Sequence, residues 1–560
     1  IGTGASATLT VGPASGTYPS VPAYFQQRRV YAGSLNKPDT YWMSQPGLFS
    51  NMDTSIPVTD SDSIQGTPWS QQVNGIQFLV PMPGGLIGLT GKSAWQINGG
   101  GSAAITPPNQ TAIAQAYNGC NNIVPPIPIN YDILYVQAKG SIVRDLSYNF
   151  YTNIYTGTDL TILSNHLFQY NNLTQMAWCE EPYKLVWALR DDGTLLCLTY
   201  MKEQEVYAWS RHDTNGLFVS ICSITEPPVD ALYCITERFV QGQWRYYSER
   251  MNNRLWQNVE GAYCVDSGVS YPTPNEVPGL AYLLTYPTQP YFSDADTIIL
   301  PAGTLSASAS TGTGVTFTVG GNPEDVFSSD SVNNIIRMDE NKTIITNFSD
   351  GSTATGDIVE TITRVVPDNN GSMPVPAVSG TWSISPPVTI IQNLNHLNGV
   401  QVAILADGSV VPNQTVTNNQ IVLDQEASVV TIGFPYTCQL QTLYLEHPDQ
   451  TGTAQTRRKN ISAVGLRVEA SRGLTIGADQ PDASVQPNYA TVSWTNMNEI
   501  KERNMFVNAG TAVPLYTGDY YKAITSSWAV TGQVAVQQSY PLPANILAVV
   551  SYFLTGDDKN

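Results

Sequence analysis

Side chains able to do chemistry are few in this chain, and their spacing argues against an active site. Three carboxylate pairs stand out: Glu180-Glu181, Asp191-Asp192, and Asp60 with Asp62. Glycoside hydrolysis needs two carboxyls about 5–9 Å apart flanking one bond. Neighbouring acids on a strand point to opposite faces, so Glu180 and Glu181 do not suit that task. Asp191-Asp192-Gly193 is explained by a hairpin turn. The four histidines, His166, His212, His396 and His447, show neither HxH nor HxxxH spacing, and so no zinc motif. The seven cysteines contain no CxxC pair. Cys179, Cys197, Cys222 and Cys234 lie in apolar runs, where a thiol packs as a small hydrophobe. No nucleophile elbow, Walker loop or kinase motif is present. Gly2-Thr3-Gly4 precedes no helix, and Gly99-Gly100-Gly101 reads as a loop, so neither cradles phosphate. The expectation is a non-enzyme with no catalytic, cofactor-binding or metal site.

The elements that would position any site are strands. Leu185-Val186-Trp187-Ala188-Leu189, the Asp191-Asp192-Gly193 turn and the run 195–200 predict a hairpin, with a third strand over 205–210 ending in Trp209-Ser210. Runs 76–81, 86–90 and 94–97 predict a meander turning at Gly84-Gly85 and Gly91-Lys92, and 133–138 with 142–146 a hairpin over Lys139-Gly140. A further hairpin is expected at Asp407-Gly408, and strands at 490–494, 527–530 and 546–552. The best helix candidate is 159–169, capped by Thr158 or Asp159, with Leu160, Leu163 and Leu167 on one face. Repeated short strands closed by Trp and Asp-Gly turns predict an all-β chain with minor helix. A propeller-like β domain carries additional β-sandwich or barrel-like modules. The expected divisions are an N-terminal remnant and linker (1–20), a propeller-like domain (21–284), an inserted β-rich module (285–385) and a C-terminal β region (386–560). With Ile rather than Met at position 1, a processed or trimmed N-terminus is expected.

Composition points the same way. Charged residues make up 13% of the chain, while Tyr (30), Gly (44) and Pro (37) are abundant. A surface of neutral polar groups favours sheet and turns over exposed helices. The net charge of −19 opposes sequence-independent nucleic-acid binding, which needs a basic footprint, yet suits a wall that DNA slides past. Free cysteines in odd number fit assembly in a reducing cytoplasm, and no apolar run reaches the ~18 residues of a membrane span. Two basic clusters, Arg28-Arg29 and Arg457-Arg458-Lys459, are either anchors for a neighbouring subunit or solvated surface. Two aromatic stretches, 151–155 and 244–247, serve either sugar stacking or sheet packing.

One family resemblance is spread through most of the chain in consistent order. It runs through 24–33 (Tyr24-Phe25-Gln26-Gln27-Arg28-Arg29), Thr40-Tyr41-Trp42-Met43-Ser44, Phe49-Ser50-Asn51-Met52, Asp159-Leu160-Thr161 with His166-Leu167, and Trp187. It continues through Asp192-Gly193-Thr194-Leu195, Ala208-Trp209-Ser210-Arg211-His212, Arg245-Tyr246-Tyr247-Ser248-Glu249, Leu397-Asn398-Gly399, Gly433-Phe434-Pro435-Tyr436 and Ser471-Arg472-Gly473. In these stretches the chain resembles the tail nozzle proteins of short-tailed bacteriophages, the tail tubular protein B family; the 285–385 segment lies outside the match. The resemblance implies a structural protein of the virion tail, assembled in the host cytoplasm. It implies a homo-oligomer, a hexameric ring below a tail adaptor protein, with tail fibres as further partners. Such a ring encloses and gates the channel through which viral DNA passes without specific binding. It implies no cofactor and no catalytic residue. Acids of the 53–62 loop are then expected to face the channel. The alternatives are a tail-associated glycan-binding or glycan-degrading propeller, and an adaptor that only docks receptor fibres.

Overall fold

The computed structural model describes residues 15–69, 75–100, 104–115, 118–151, 154–254, 256, 259–271, 304–320, 326–338, 341–359, 362, 377–379, 382–447, 453–481, 493–503 and 512–556. The 2–4 segment, Gly101, 490–492 and the 285–303 part of the inserted module lie outside the described residues. The protein is almost entirely antiparallel β-structure, and it divides into two units. The first comprises residues 1–213 and 217–236, the second 214–216 and 237–560. The division thus falls inside the 21–284 span, within the strand Val229–Val240.

The first unit is built from four successive four-stranded meanders, each made of strands consecutive in sequence. They begin with Pro19–Phe25, Ile76–Met82, Ile127–Ile129 and Leu173–Cys179. Their inner strands are apolar on both faces, and the alternation of side chains explains why. In the second meander Leu79, Leu86 and Ile97 pack with Val30, Tyr41 and Met43 of the first. The alternate residues Val80, Ile87 and Leu89 pack with Ile133, Tyr135 and Leu146 of the third. The third repeats the pattern: Leu134, Val136 and Val143 face Val186, Ala188, Leu196 and Leu198 of the fourth. The second and third sheets are therefore each sandwiched between their sequence neighbours, the stacking that a propeller-like arrangement requires. Strand Leu217–Glu226 follows beside the fourth meander, where Gln175 Oε1 accepts from the Ile221 amide at 2.8 Å and the Ser220 hydroxyl at 3.1 Å.

The described residues of the second unit form three main β-assemblies. The first is a core formed by Ile404, Val430, Ile432 and Phe434 with Ile391, Leu397 and Ile421. The second is a seven-stranded sheet drawn from strands between Thr304 and Ser385. Its opposite edges, Ala377–Ser379 and Trp382–Ser385, are almost contiguous in sequence, so the sheet must curl around its own core of Phe317, Ile336, Ile345 and Ile384. The third is a C-terminal sandwich. The sheet of Lys459–Ser471, Tyr516–Ala523 and Asn545–Thr555 covers one containing Thr475–Ala478 and Val534–Gln538, with Val464, Leu466, Ile476 and Val536 between them.

The expected helix at 159–169 is absent. Ile154–Asp159 is a strand, and only Ile162–Leu167 winds, as a 3-10 helix. The Asp159 carboxylate accepts from the Thr161 amide at 2.8 Å and its hydroxyl, which turns the chain sharply. Leu160 and Leu167 are buried, whereas Leu163 is 90% exposed, so the three leucines share no face. Residues 527–530 make only an isolated bridge, Lys459 to Ala529, rather than a strand.

Candidate functional site: an inter-sheet cleft and an ionic hub

Where four-stranded meanders stack, alternate hairpin turns come to the same end. In the fourth sheet these are the turn after Leu173–Cys179 and the 3-10 turn Lys202–Gln204. In the third sheet the matching turn is Asn130-Tyr131, with Asn130 left-handed at φ 54°. Together they surround a cleft of 290 Å³ lined by residues including Tyr131, Asp132, Trp178, Glu180, Lys184, Tyr200, Lys202 and Glu203. The Lys202 ammonium lies 2.7 Å from Asp132 and 3.6 Å from Asp145. The Lys184 ammonium lies 3.5 Å from Glu203. The Tyr200 hydroxyl donates to Asp132 at 3.4 Å, and burial together with the Asp132 and Asp145 charges pushes its phenol far above its ordinary value. Sequence reasoning singled out only Glu180 here, and only as half of a pair. The findable signal was that turns one and three of a meander lie at one end.

The sequence-level carboxylate pairs resolve into structural roles. The amides of Glu180 and Glu181 both donate to Asp230, at 2.7 and 3.3 Å, and both side chains point outward. Partial burial would push the Asp230 carboxyl up, but the Thr225 hydroxyl and those amides hold it below its ordinary value. Asp192 caps the turn by accepting from the Thr194 amide at 3.1 Å and pairs with buried Arg190, whose other arm donates to the Leu167 carbonyl at 2.8 Å. Asp62 is not a channel-facing acid. Its buried carboxylate accepts from the amides of Ser55 (2.9 Å) and Thr59 (2.7 Å) and from the Ser55 hydroxyl (2.7 Å), which hold it at about 2. Asp53 and Asp60 remain exposed.

The basic clusters are corrected in the same way. Arg28 is neither solvated nor a subunit anchor: it is buried and donates to the carbonyls of Ser44 and Asp62 at 2.7 Å and of Asp60 at 3.1 Å, pinning the 53–62 loop. Lys459 is also buried, donating to the Val530 carbonyl at 3.0 Å. Arg29 is half-buried and donates to the hydroxyls of Tyr24 and Tyr31. Of the cysteines, Cys179, Cys197 and Cys234 are buried as expected, but Cys222 is exposed, and all seven are free thiols. The histidines are dispersed. His212 approaches the Ser210 hydroxyl at 3.1 Å, while His396 approaches the Ser267 carbonyl at 3.1 Å and is held low by burial. Among the described residues no group of three His, Cys, Asp or Glu could hold a metal, and no helix is long and apolar enough to cross a membrane. Trp244 and Tyr246 are exposed on the strand Gln243–Arg250, and Tyr151 is exposed on a hairpin tip.

The second concentration of charge is structural. The Asp407-Gly408 hairpin tip receives Lys342 at 2.5 Å and Arg337 at 3.4 Å, both from the seven-stranded sheet. Asp407 Oδ1 also accepts from the amides of Ser428 (3.0 Å) and Val429 (2.8 Å) and the Ser428 hydroxyl (2.8 Å). Burial opposes ionisation there, but Lys342 and Arg337 hold the carboxyl below its ordinary value. Arg337 also pairs with buried Glu260 and donates to Ser428 Oγ at 2.7 Å. Arg472 of the C-terminal sandwich donates to the Gly408 carbonyl at 2.8 Å and the Val513 carbonyl at 3.0 Å. One hairpin thus ties the three assemblies of the second unit together.

Compared with known protein families and with curated proteins, the sequence matches none of them.

Proposed function

We propose that this chain is a structural subunit of a short bacteriophage tail, of the nozzle type, assembling as a homo-hexameric ring around the path of the viral DNA. The ordered sequence resemblance supports the reading, as do the stacked meanders. The single observation that carries it is the outer sheet of the C-terminal sandwich. Asn545–Thr555 and Tyr516–Ala523 are its two edges, and among the described residues neither pairs with a further strand. The outward positions Val550, Tyr552 and Leu554 are exposed and apolar, and the Tyr521 ring meets Tyr552 at 5.4 Å across Gly465. The charges beside them cancel, since Arg467 and Asp519 form a two-pronged pair at 2.7 and 2.9 Å. Long apolar edge strands are normally blunted in monomers. In a chain of net charge −19, a neutral apolar face is where a second, equally acidic copy approaches with least repulsion. Two different free edges suit a head-to-tail contact, which gives a ring when its rotation closes. The tail adaptor, fibres and DNA are the remaining partners of this proposal.

Sedimentation velocity over rising protein concentration tests the contact. The native chain is expected to associate, and Val550→Lys combined with Tyr552→Lys to remain monomeric. Association unchanged by both lysines would overturn the assignment of this face.

A further inference from the structure

We propose that the cleft between the third and fourth meanders binds a neutral saccharide, one or two pyranose rings in size. This goes beyond the tail-subunit reading, because the cleft lies wholly within the first unit. Its volume of 290 Å³ is at the small end of ligand clefts, which run from about 300 Å³. Three aromatic side chains line it: Tyr200, which is buried, Trp178, half-buried, and Tyr131, 72% exposed on its turn; the last two offer accessible ring faces. Flat aromatic faces with a polar handle suit the C–H face of a sugar ring.

The charges decide the ligand class. Lys202 is engaged by Asp132 and Asp145, and Lys184 by Glu203. An anion such as a phosphate would have to compete with those carboxylates and would face Glu180 as well. A cation would meet two lysines. A lipid tail would desolvate every one of these charged groups without offering them a partner. A neutral polyol avoids all three penalties. Its hydroxyls both donate and accept, and the lining alternates ammonium donors with carboxylate acceptors, so each sugar hydroxyl can bridge an existing pair without breaking it.

The test is saturation-transfer NMR on the full chain with methyl glucoside, methyl galactoside, methyl mannoside and their homodisaccharides, plus methyl glucuronide as a charged comparison. At least one neutral sugar is expected to show transfer to its ring C–H protons, with weaker binding of the glucuronide. Trp178→Ala is expected to abolish transfer, and Tyr131→Ala to weaken binding about tenfold, with Tyr131→Phe retaining it. Because Tyr131 is on an exposed turn, its variants keep the test decisive if Trp178→Ala fails to fold. No transfer from any of these sugars, tighter binding of the glucuronide, or native binding in Tyr131→Ala would each overturn the proposal.

Discussion

Two Asp-Gly hairpins that look alike in sequence do unlike work. At Asp191-Asp192-Gly193 the carboxylate of Asp192 serves its own turn, bonding the Thr194 amide and Arg190 two residues before it. At Asp407-Gly408 the carboxylate of Asp407 gathers Lys342 and Arg337 from a strand pair some 65 to 70 residues away in sequence, together with Ser428. Both tips use a left-handed glycine, φ 78° at Gly193 and 70° at Gly408. The turn itself is local chemistry. The tertiary use of its side chain depends on what the rest of the fold brings near it.

That contrast fixes the order of effects. Asp407→Ala takes from Lys342 its carboxylate and from Arg337 one of its partners, leaving Arg337 with Glu260 and Ser428, and leaves two amides and a hydroxyl unmet. Breaking a buried pair by removing one partner costs about 3–5 kcal/mol. Denaturant unfolding is expected to show a loss of that order, and hydrogen exchange to show early opening of Ile335–Met338 and Asn341–Asp350. Stability unchanged in this variant would mean the seven-stranded sheet is held by apolar contacts alone.

The next effect is with pH. The folded-state value of Asp407 lies below the ordinary 3.8. Its contribution is therefore fully present above about pH 4 and lost as pH falls through the depressed folded value. An acid titration of stability is expected to fall less steeply in Asp407→Asn than in the native chain. Identical acid limbs would remove the charge from this account and leave only the hydrogen bonds.

The smallest effect belongs to Asp192→Ala. Arg190 keeps the Leu167 carbonyl, and Asp192 is 38% exposed, so water replaces much of what is lost. A destabilisation of about 1 kcal/mol, the typical value of one hydrogen bond, is expected in denaturant unfolding. A loss equal to that of Asp407→Ala would erase the distinction between the two turns.

Most of the strand pattern was legible because hairpin turns announce themselves locally. The predicted hairpins at Gly84-Gly85, Lys139-Gly140, Asp191-Asp192-Gly193 and Asp407-Gly408 all pair across their turns. The helix expectation failed for an equally local reason. Leucines at 160, 163 and 167 fit a helical face, but Asp159 ends a strand and bonds Thr161, and tertiary pairing of Ile154–Asp159 with Val143–Asn149 overrides the spacing. Tyr516–Ala523 was missed because Tyr520 and Tyr521 break a simple inside-outside alternation; one packs on the core and the other lies outside. The cleft was not legible at all at the level of single residues. Lys184, Lys202 and Glu203 are ordinary turn residues until two sheets stack and bring their turns to one end. In the sequence Arg28 and Lys459 fit a subunit anchor or a solvated surface, since nothing in a short basic run reveals that carbonyls will surround it.

Electron microscopy of an intact virus particle carrying this chain decides whether it is a ring-forming tail subunit. The expected result is this fold in six copies around a channel at the distal end of the tail, about 20 Å or more wide where duplex DNA passes, with the Asn545–Thr555 sheet at the contact between copies. Finding the chain as a single copy on a peripheral spike, or absent from the tail, would contradict it.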